Sequence, residues 1–247
     1  MIRKKKENVE WLEFELLQEE KVRHAIFLRQ GGCSKGPFAS LNFGASLGDD
    51  LALVRKNRQQ VMDLFSWDRL IVGCQVHGVH IEQVVKGFTC VRDCDGLITE
   101  EKGQALTILH ADCQVAIFYD PIRHRVANIH CGWKGNVQNM YLKTVDRFKQ
   151  SGSNPSDLLV CISPSLGPNK AQFIHFAKEF PEAFHDFLQK DYLFNLWDIS
   201  RMQLKQAGIL SSHIEFASIC THENRGDFFS YRRDKVTGRH ATVIELL

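Results

Sequence analysis

The chain has 247 residues, enough for one large domain or two small ones, and its 44% hydrophobic content is ordinary for a globular protein. Its 31 lysines and arginines against 29 aspartates and glutamates leave a formal net charge of +2. This balance argues against nucleic acid or an anionic membrane as a partner. A small substrate is therefore expected.

The N-terminal region carries a basic run, residues 3–6 (RKKK), that no apolar stretch follows. Residues 7–20 mix apolar side chains with acids, which is typical neither of a signal peptide nor of a membrane span, so an early strand or helix is expected. Eight cysteines in a chain of this length without a secretory signal are expected to stay reduced. These features predict a cytoplasmic protein whose cysteines serve packing, metal ligation or catalysis.

Short apolar runs separated by turn residues predict strands at 24–29, 70–74, 81–85, 96–99 and 105–109. A helix is predicted over Leu51–Phe65, where apolar residues recur with helical spacing, Arg58 is assigned to the outer face, and residues 48–50 (GDD) supply an N-cap. Residues 115–119 and 125–129 are apolar runs joined by a turn at Pro121, which predicts a β-hairpin.

The second strand of this hairpin leads into residues 130–135 (HCGWKG) and a helix predicted over 136–149, so a strand delivers His130 to a helix N-terminus. Further strands are predicted at 158–162, 214–219 and 242–246, and further helices at 176–188, with a break or first turn at Pro181, and at 199–206. Because no repeat, low-complexity tract or linker interrupts the pattern, it predicts one mixed α/β domain over 1–247.

Three predicted strand ends carry possible metal ligands, within residues 75–78 (QVHG), 110–113 (HADC) and 129–133 (IHCGW). Catalytic zinc takes three protein ligands, so that water or a substrate fills the fourth position. Taken singly, a histidine at a strand end is more often a satisfied polar group, and a cysteine in apolar surroundings is more often part of the core. Spacing alone does not choose Cys113 over Cys131 or Cys74.

Six segments, in order and covering nearly the whole chain, resemble the signature of the YfiH-like proteins. These proteins were formerly called laccase-domain or polyphenol oxidase proteins and were later described as purine nucleoside phosphorylases. The segments are residues 29–32 (RQGG), 36–44 (GPFASLNFG), 75–78 (QVHG), 111–113 (ADC), 130–135 (HCGWKG) and 228–234 (FFSYRRD).

The resemblance implies that His77, Cys113 and His130 hold one metal ion, Zn²⁺ or, in the older description, Cu²⁺. It also implies a layered α-β-β-α domain with mixed sheets. The implied activities are phosphorolysis of adenosine, inosine, guanosine and methylthioadenosine, and deamination of adenosine. Residues 163–173 (SPSLGPNKAQF) depart from the family pattern GPxIGxCCYEV, so the substrate-facing loop differs while the metal ligands are retained.

Further residues are candidates for contacts with purine nucleosides and phosphate. Lys134, at a helix N-terminus whose N–H groups and dipole favour anions, and Arg29 are the cationic candidates. Asn42 and Gln75 can hydrogen-bond a ribose or base, or cap a turn. Asp112, beside Cys113, can act as a general acid or base, or serve as a structural acid.

Other conspicuous residues are interpreted as structural. Asp93 and Asp95 are explained better by a turn that opens a strand than by the alternative, a role in chemistry. Cys90 and Cys94 lack CxxC spacing and a matching second pair. A basic and aromatic cluster near the C-terminus is assigned to the packing of a final hairpin, with residues 235–238 as its turn. This cluster consists of Arg225, Tyr231, Arg232 and Arg233.

The leading hypothesis is a zinc-dependent purine nucleoside phosphorylase and adenosine deaminase, acting as a monomer with no nucleic acid or membrane partner. Phosphate would attack the ribose C1′ in phosphorolysis, and zinc would activate water for attack on the purine C6 in deamination. A copper-dependent polyphenol oxidase is the second hypothesis, although four-electron reduction of O₂ uses more copper ligands than one triad offers. The third is a hydrolase of a cell-wall amide, with Cys113 as nucleophile and His130 as base. A structural zinc site would need a fourth protein ligand.

Overall fold

The apolar runs of the sequence form strands in two six-stranded mixed sheets. The structure, a computed structural model, describes residues 1–87 and 93–247. In chain order the strands are β1 (Ile2–Lys6), β2 (Val9–Glu13), β3 (Val22–Phe27), β4 (Leu70–Val72), β5 (Ile81–Gln83), β6 (Gly96–Thr99), β7 (Ala105–His110), β8 (Gln114–Asp120), β9 (Arg125–Cys131), β10 (Leu159–Ile162), β11 (Ile214–Phe216) and β12 (His240–Leu246).

The first sheet has the order β1-β2-β3-β12-β7-β4 and the second has the order β11-β10-β8-β9-β6-β5. Neighbouring strands are antiparallel except in the pairs β4–β7, β5–β6 and β10–β11, which are parallel. The α-helices are α1 (Leu51–Phe65), α2 (Trp133–Val137), α3 (Met140–Gln150), α4 (Phe176–Glu179), α5 (Leu196–Gln206) and α6 (Tyr231–Asp234).

A buried core lies between the two sheets, where Ile26 and Leu106 of the first sheet pack with Ile117 of the second. Asn128 of β9 crosses this core and donates hydrogen bonds of 2.9 Å and 2.8 Å to the carbonyl oxygens of Leu106 and Thr242. These bonds satisfy buried backbone acceptors and fix the position of one sheet on the other.

Helices cover the outer faces of both sheets. The ring of Phe65 in α1 lies 5.5 Å from that of Phe27 in β3, and Tyr141 and Phe148 of α3 pack on Phe118 of β8. The order of layers is therefore helix, sheet, sheet, helix. This arrangement confirms the expected mixed α/β fold with layered α-β-β-α architecture.

Several elements agree closely with the sequence prediction. Helix α1 has the predicted bounds, and the carboxylate of its N-cap Asp50 accepts a hydrogen bond from the N–H of Ala52. The predicted hairpin is formed by β8 and β9, which pair antiparallel from Gln114↔Cys131 to Asp120↔Arg125. The early strand or helix expected near the N-terminus is the hairpin of β1 and β2.

Three predictions of local structure are wrong. The helix expected over 136–149 is divided into α2 and α3, because Asn139 adopts the left-handed conformation and its side chain caps the second helix. The helix expected over 176–188 is α4 followed by a 3-10 segment, with the predicted break at Pro181. Residues 235–238 form no hairpin turn, because β12 pairs with β3 and β7.

The cysteines within residues 1–87 and 93–247 are all free thiols. Cys94 is buried, whereas Cys90 lies outside the described residues, so the interpretation of this pair as structural is testable only for Cys94. None of the helices in the described part of the chain has the length and apolar character needed to cross a bilayer.

Burial keeps two histidines neutral, and each accepts a hydrogen bond from a backbone N–H. Nε2 of His24 accepts the N–H of Phe14, and Nε2 of His240 accepts the N–H of Phe229, both at 2.7 Å, while Nδ1 of His240 bonds the carbonyl of Phe27. Burial lowers the pKa of His24 to about 4 and that of His240 to about 3. Unfolded histidine titrates near pH 6.5. Below that pH the unfolded chain therefore binds protons that the folded chain does not, and stability falls as the pH falls.

Substituting His24→Gln, which keeps an acceptor for the N–H of Phe14, is expected to make this loss of stability less steep. The difference in slope between wild type and variant should be about 1.4 kcal/mol per pH unit from pH 6 to 4.5, since one titrating group is removed. Urea unfolding across this range measures the slope. The same substitution at the exposed His175 is the control, and equal slopes for the two variants would contradict a buried neutral His24.

Candidate metal centre

His77 lies on the loop between β4 and β5, in the left-handed backbone conformation with a φ of 60°. The Asp95 carboxylate accepts hydrogen bonds from the consecutive N–H groups of Val76, His77 and Gly78, at 3.1, 3.0 and 2.7 Å. Three charge-assisted hydrogen bonds compensate for the cost of the unusual φ at a bulky residue. Asp95 thus fixes the direction in which the His77 ring leaves the backbone.

His130 is near the C-terminal end of β9 and is almost completely buried. Its Nδ1 lies 2.8 Å from Oδ1 of the same Asp95, so Nε2 is the ring nitrogen left to face a ligand. Burial opposes protonation of His130, but the charges of Cys113 and Asp95 outweigh it and raise its pKa to about 9. Asp95 therefore orients both histidines, one through the backbone and the other through the ring.

Cys113 lies in the turn between β7 and β8, directly after Asp112, whose φ of 88° redirects the chain. Burial alone would raise the pKa of the Cys113 thiol, but His130 and His77 overcome this effect and lower it to about 6. A thiolate is the form of cysteine that binds metal. The two histidines thus keep Cys113 ready to act as a ligand.

The three candidate ligands come together. One ligand atom each from His77, Cys113 and His130 lies within 4.8 Å of the other two, and within residues 1–87 and 93–247 no other group of three His, Cys, Asp or Glu side chains does so. A Cβ at Gly132 would be 3.0 Å from Sγ of Cys113 and 3.3 Å from Nδ1 of His77. The glycine leaves the ligand atoms room. Two imidazoles and a thiolate fit Zn²⁺ or copper, and three ligands leave a position open.

Neither of the other two cysteines that spacing left open belongs to the triad, although both border the cavity that lies over it. Cys131 points to the opposite side of β9, into the core that contains Met140 and Tyr141, and burial raises its pKa. Cys74 is exposed on the loop before His77 and is not part of the triad.

A cavity of about 940 Å³ opens over the triad. This volume is in the range of small-molecule sites. One wall is apolar and is formed by Trp133, Leu166, Phe173 and Leu196. Three arginines also line the cavity, namely Arg58, Arg232 and Arg239. The cavity thus combines an aromatic wall, a set of metal ligands and positive charge.

Of the four residues predicted to contact substrate, only Gln75 lines this cavity, and its amide is paired with the backbone of Leu109 through bonds of 2.7 and 2.8 Å. Asn42 is fully buried and bonds Gly44, Asp49 and the N–H of Arg239.

The two predicted cations are not part of the lining. Arg29 donates to the carbonyls of Ala39 and Arg225 and stacks 4.7 Å from the Phe229 ring. Lys134 is exposed on the five-residue helix α2. Their contact with substrate stays a prediction.

Asp112 lines the cavity, but both of its carboxylate oxygens have partners. Oδ1 accepts from the Thr221 hydroxyl at 2.7 Å and Oδ2 accepts from the backbone N–H of Arg232 at 2.6 Å. These contacts tie the turn before Cys113 to the C-terminal segment. A role in proton transfer stays a prediction.

Sequence reasoning missed three residues of the site. Asp95 was assigned to a turn, and no local pattern distinguishes it from Asp93. Arg58 was assigned to the outer face of α1, yet it is half-buried and shares the helical spacing of the buried Val54 and Val61, a signal that was available. Arg239 was not singled out, and only the tertiary structure brings it to the cavity.

Comparison with known proteins agrees with this geometry. The profile of the family described as "Multi-copper polyphenol oxidoreductase laccase" matches residues 23–247. "Purine nucleoside phosphorylase YfiH" of Escherichia coli is 30% identical over 230 residues, which span 89% of this chain and 91% of that protein. This chain belongs to the YfiH-like family.

Two further family members extend the comparison. "Purine nucleoside phosphorylase YlmD" of Geobacillus stearothermophilus is 34% identical over 87% of each chain. The crystal structure of the "hypothetical protein YfiH" of Bacillus licheniformis superposes with a TM-score of 0.89, at 31% identity and 97% coverage of both chains. The family likeness therefore includes the whole fold as well as the sequence signature.

Proposed function

We propose that this chain is a zinc-dependent purine nucleoside phosphorylase that also deaminates adenosine. The observation that carries the proposal is the group of three convergent ligands, His77, Cys113 and His130, in a cavity large enough for a nucleoside. The names of its relatives, purine nucleoside phosphorylases at 30% and 34% identity, support the reaction class. A bound Zn²⁺ would supply a Lewis acid and an open coordination position.

The apolar wall of the cavity suits a purine base. Trp133 and Phe173 contact each other edge to face, with ring centroids 6.1 Å apart, and Leu166 and Leu196 extend the surface. Aromatic and aliphatic side chains bind the face of a base by stacking, without a requirement for one pattern of hydrogen bonds. Such a wall is consistent with turnover of several purine nucleosides.

In phosphorolysis a phosphate oxygen forms a bond to the ribose C1′ while the bond from C1′ to N9 of the purine breaks. The electron pair of that bond leaves with the base, which takes up a proton. Asp112, at the cavity wall, is our candidate for the group that exchanges protons with the base. In the same proposal Gln75 holds the His77 loop against β7 and presents its edge to the substrate.

Two other functions have less support. A polyphenol oxidase that reduces O₂ by four electrons needs several coppers, whereas the described residues supply one convergent triad. A cysteine hydrolase needs a free thiolate at Cys113, which metal ligation would remove. The following experiment separates the outcome expected for the oxidase from ours.

We expect the purified protein to contain about one zinc per chain and to turn over adenosine by two routes. Adenine should appear only with phosphate, whereas inosine should appear with or without it, because deamination consumes water. Elemental analysis and chromatographic separation of adenine from inosine measure both. Chelation should abolish both products and Zn²⁺ should restore them. Metal-loaded protein that consumes O₂ with phenols and leaves nucleosides intact would contradict the proposal.

A further inference from the structure

Three arginines line the cavity, and within the described residues none of their guanidinium groups has a carboxylate partner. Arg232 donates to the carbonyls of Lys170 and Gln172 and lies against Phe173 of the apolar wall, whereas Arg58 and Arg239 both contact residues 42–44. Within the described ranges 1–87 and 93–247, neither Arg58 nor Arg239 forms an ion pair, whereas Arg23 pairs with Glu245 at 2.6 Å. A cation that is partly removed from water without a counter-ion is costly, and proteins usually pair it. An unpaired arginine that faces a cavity is therefore suited to an anionic ligand.

The same short segment positions both guanidinium groups. Nε and Nη2 of Arg58 donate to the carbonyl of Phe43, at 3.1 and 2.6 Å. The backbone N–H of Arg239 donates to Oδ1 of Asn42, and its carbonyl accepts the N–H of Phe43. The side chain of Arg239 then passes close to Gly44, where a Cβ would lie 3.2 Å from its Cγ. Residues 42–44 thus bring both arginines to the same end of the cavity.

Each guanidinium group keeps donors free. Nη1 of Arg239 donates to the carbonyls of Thr237 and Gly238, both at 3.1 Å, while its Nη2 has no partner in the described part of the chain. Nη1 of Arg58 likewise has no hydrogen-bond partner among the described residues. The backbone bonds hold the planar groups in place and leave N–H donors for a ligand.

The charge near Arg239 connects this end of the cavity to the metal ligands. Burial lowers the pKa of Arg239, and the charges of Cys113 and Asp112 act in the opposite direction. Arg239 lines the same cavity as His77, Cys113 and His130, so it can act on the same ligand. Guanidinium groups recognise phosphate through paired, charge-assisted hydrogen bonds. The ring of Tyr231 lies 5.8 Å from Cζ of Arg239 and supports one face of its guanidinium group.

We propose that Arg58 and Arg239 form a phosphate subsite at the end of the cavity next to residues 42–44. The ligand is a phosphate dianion, either free inorganic phosphate or the phosphoryl group of a nucleotide. If the ligand is free inorganic phosphate, the inference rests on the proposed phosphorylase function, in which this subsite holds the attacking phosphate. It replaces Lys134 and Arg29, which lie outside the cavity lining, as the anion site.

The test uses metal-loaded protein and calorimetric titration with inorganic phosphate and, separately, with adenosine 5′-monophosphate. Arg58→Gln and Arg239→Gln should each weaken binding of the phosphate group about ten- to a hundredfold, which is the usual effect of a charge-assisted contact. The KM for phosphate should rise by the same factor, while the KM for adenosine stays within about threefold of wild type, since the base and ribose contacts remain.

Two matched variants complete the design. Arg239→Lys keeps the charge without the planar fork, so it should bind phosphate with intermediate strength and show whether folding is affected by loss of the arginine. Arg201→Gln is the control, because Arg201 lies on α5, stacks 4.0 Å from Phe216 and is not part of the cavity wall. It should leave phosphate binding unchanged. Zinc content and thermal unfolding are measured for every variant.

The outcomes are distinct. Unchanged phosphate binding in both glutamine variants overturns the subsite even if adenosine phosphorolysis is present. Arginine-dependent phosphate binding without phosphorolysis supports the subsite and contradicts the proposed function. Binding of adenosine 5′-monophosphate but not of inorganic phosphate supports a subsite for a substrate phosphoryl group. Wild-type protein that binds neither ligand overturns the inference.

Discussion

Replacing Cys113 by alanine is expected to remove the bound metal and abolish turnover. Cys113 supplies the only thiolate of the triad, and its neighbours lower its pKa to about 6, so it is the ligand that carries negative charge to the ion. Loss of one ligand out of three should weaken metal binding by more than about a hundredfold, since even loss of an outer-shell partner costs ten- to a hundredfold. Elemental analysis and adenosine turnover measure the effect.

Cys131→Ala is the matched control. Cys131 lies two residues before the start of α2. Its thiol lies in the core on the other side of β9, so the substitution leaves a small cavity without touching the triad. We expect a stability loss of about 1–2 kcal/mol with metal content and turnover largely retained. Equal loss of metal in the two variants would show that the ligand assignment is wrong.

The second large effect is expected for Asp95→Asn, which keeps the shape of the side chain but removes its charge. The fully buried carboxylate accepts the N–H groups of Val76, His77 and Gly78 and bonds Nδ1 of His130. An amide directs its own N–H groups at some of these donors, so buried polar groups lose their partners. Zinc affinity should fall about ten- to a hundredfold, because both histidines lose their orientation.

Stability should fall as well, by about 2–5 kcal/mol, since a buried group without its partner costs about 1–3 kcal/mol and more than one is affected. Competition with a chelator measures zinc affinity, and urea unfolding measures stability. Asp93→Asn is the control at the exposed neighbouring acid. If both variants retain wild-type affinity and stability, Asp95 does not organise the centre.

Local sequence determines much of the secondary structure in this chain. The bounds of α1 and the register of the β8–β9 hairpin follow from periodicity, a capping aspartate and a turn, all of which act over a few residues. The division between α2 and α3 at Asn139 was missed, because an asparagine that adopts the left-handed conformation looks the same in sequence as one that stays helical.

The sequence by itself also determined the family, because six segments match its signature, and through that resemblance it named His77, Cys113 and His130. Only the tertiary structure decided what surrounds them. Asp95, Arg58 and Arg239 come from segments far apart in the chain. Asp95 bonds His130, and the two arginines line the cavity over the triad, through sheet pairing and loop contacts that no local pattern encodes. The tertiary structure also showed that Arg29 and Asn42 bind backbone groups. Which backbone groups lie within reach of a side chain depends on the fold and cannot be deduced from the sequence.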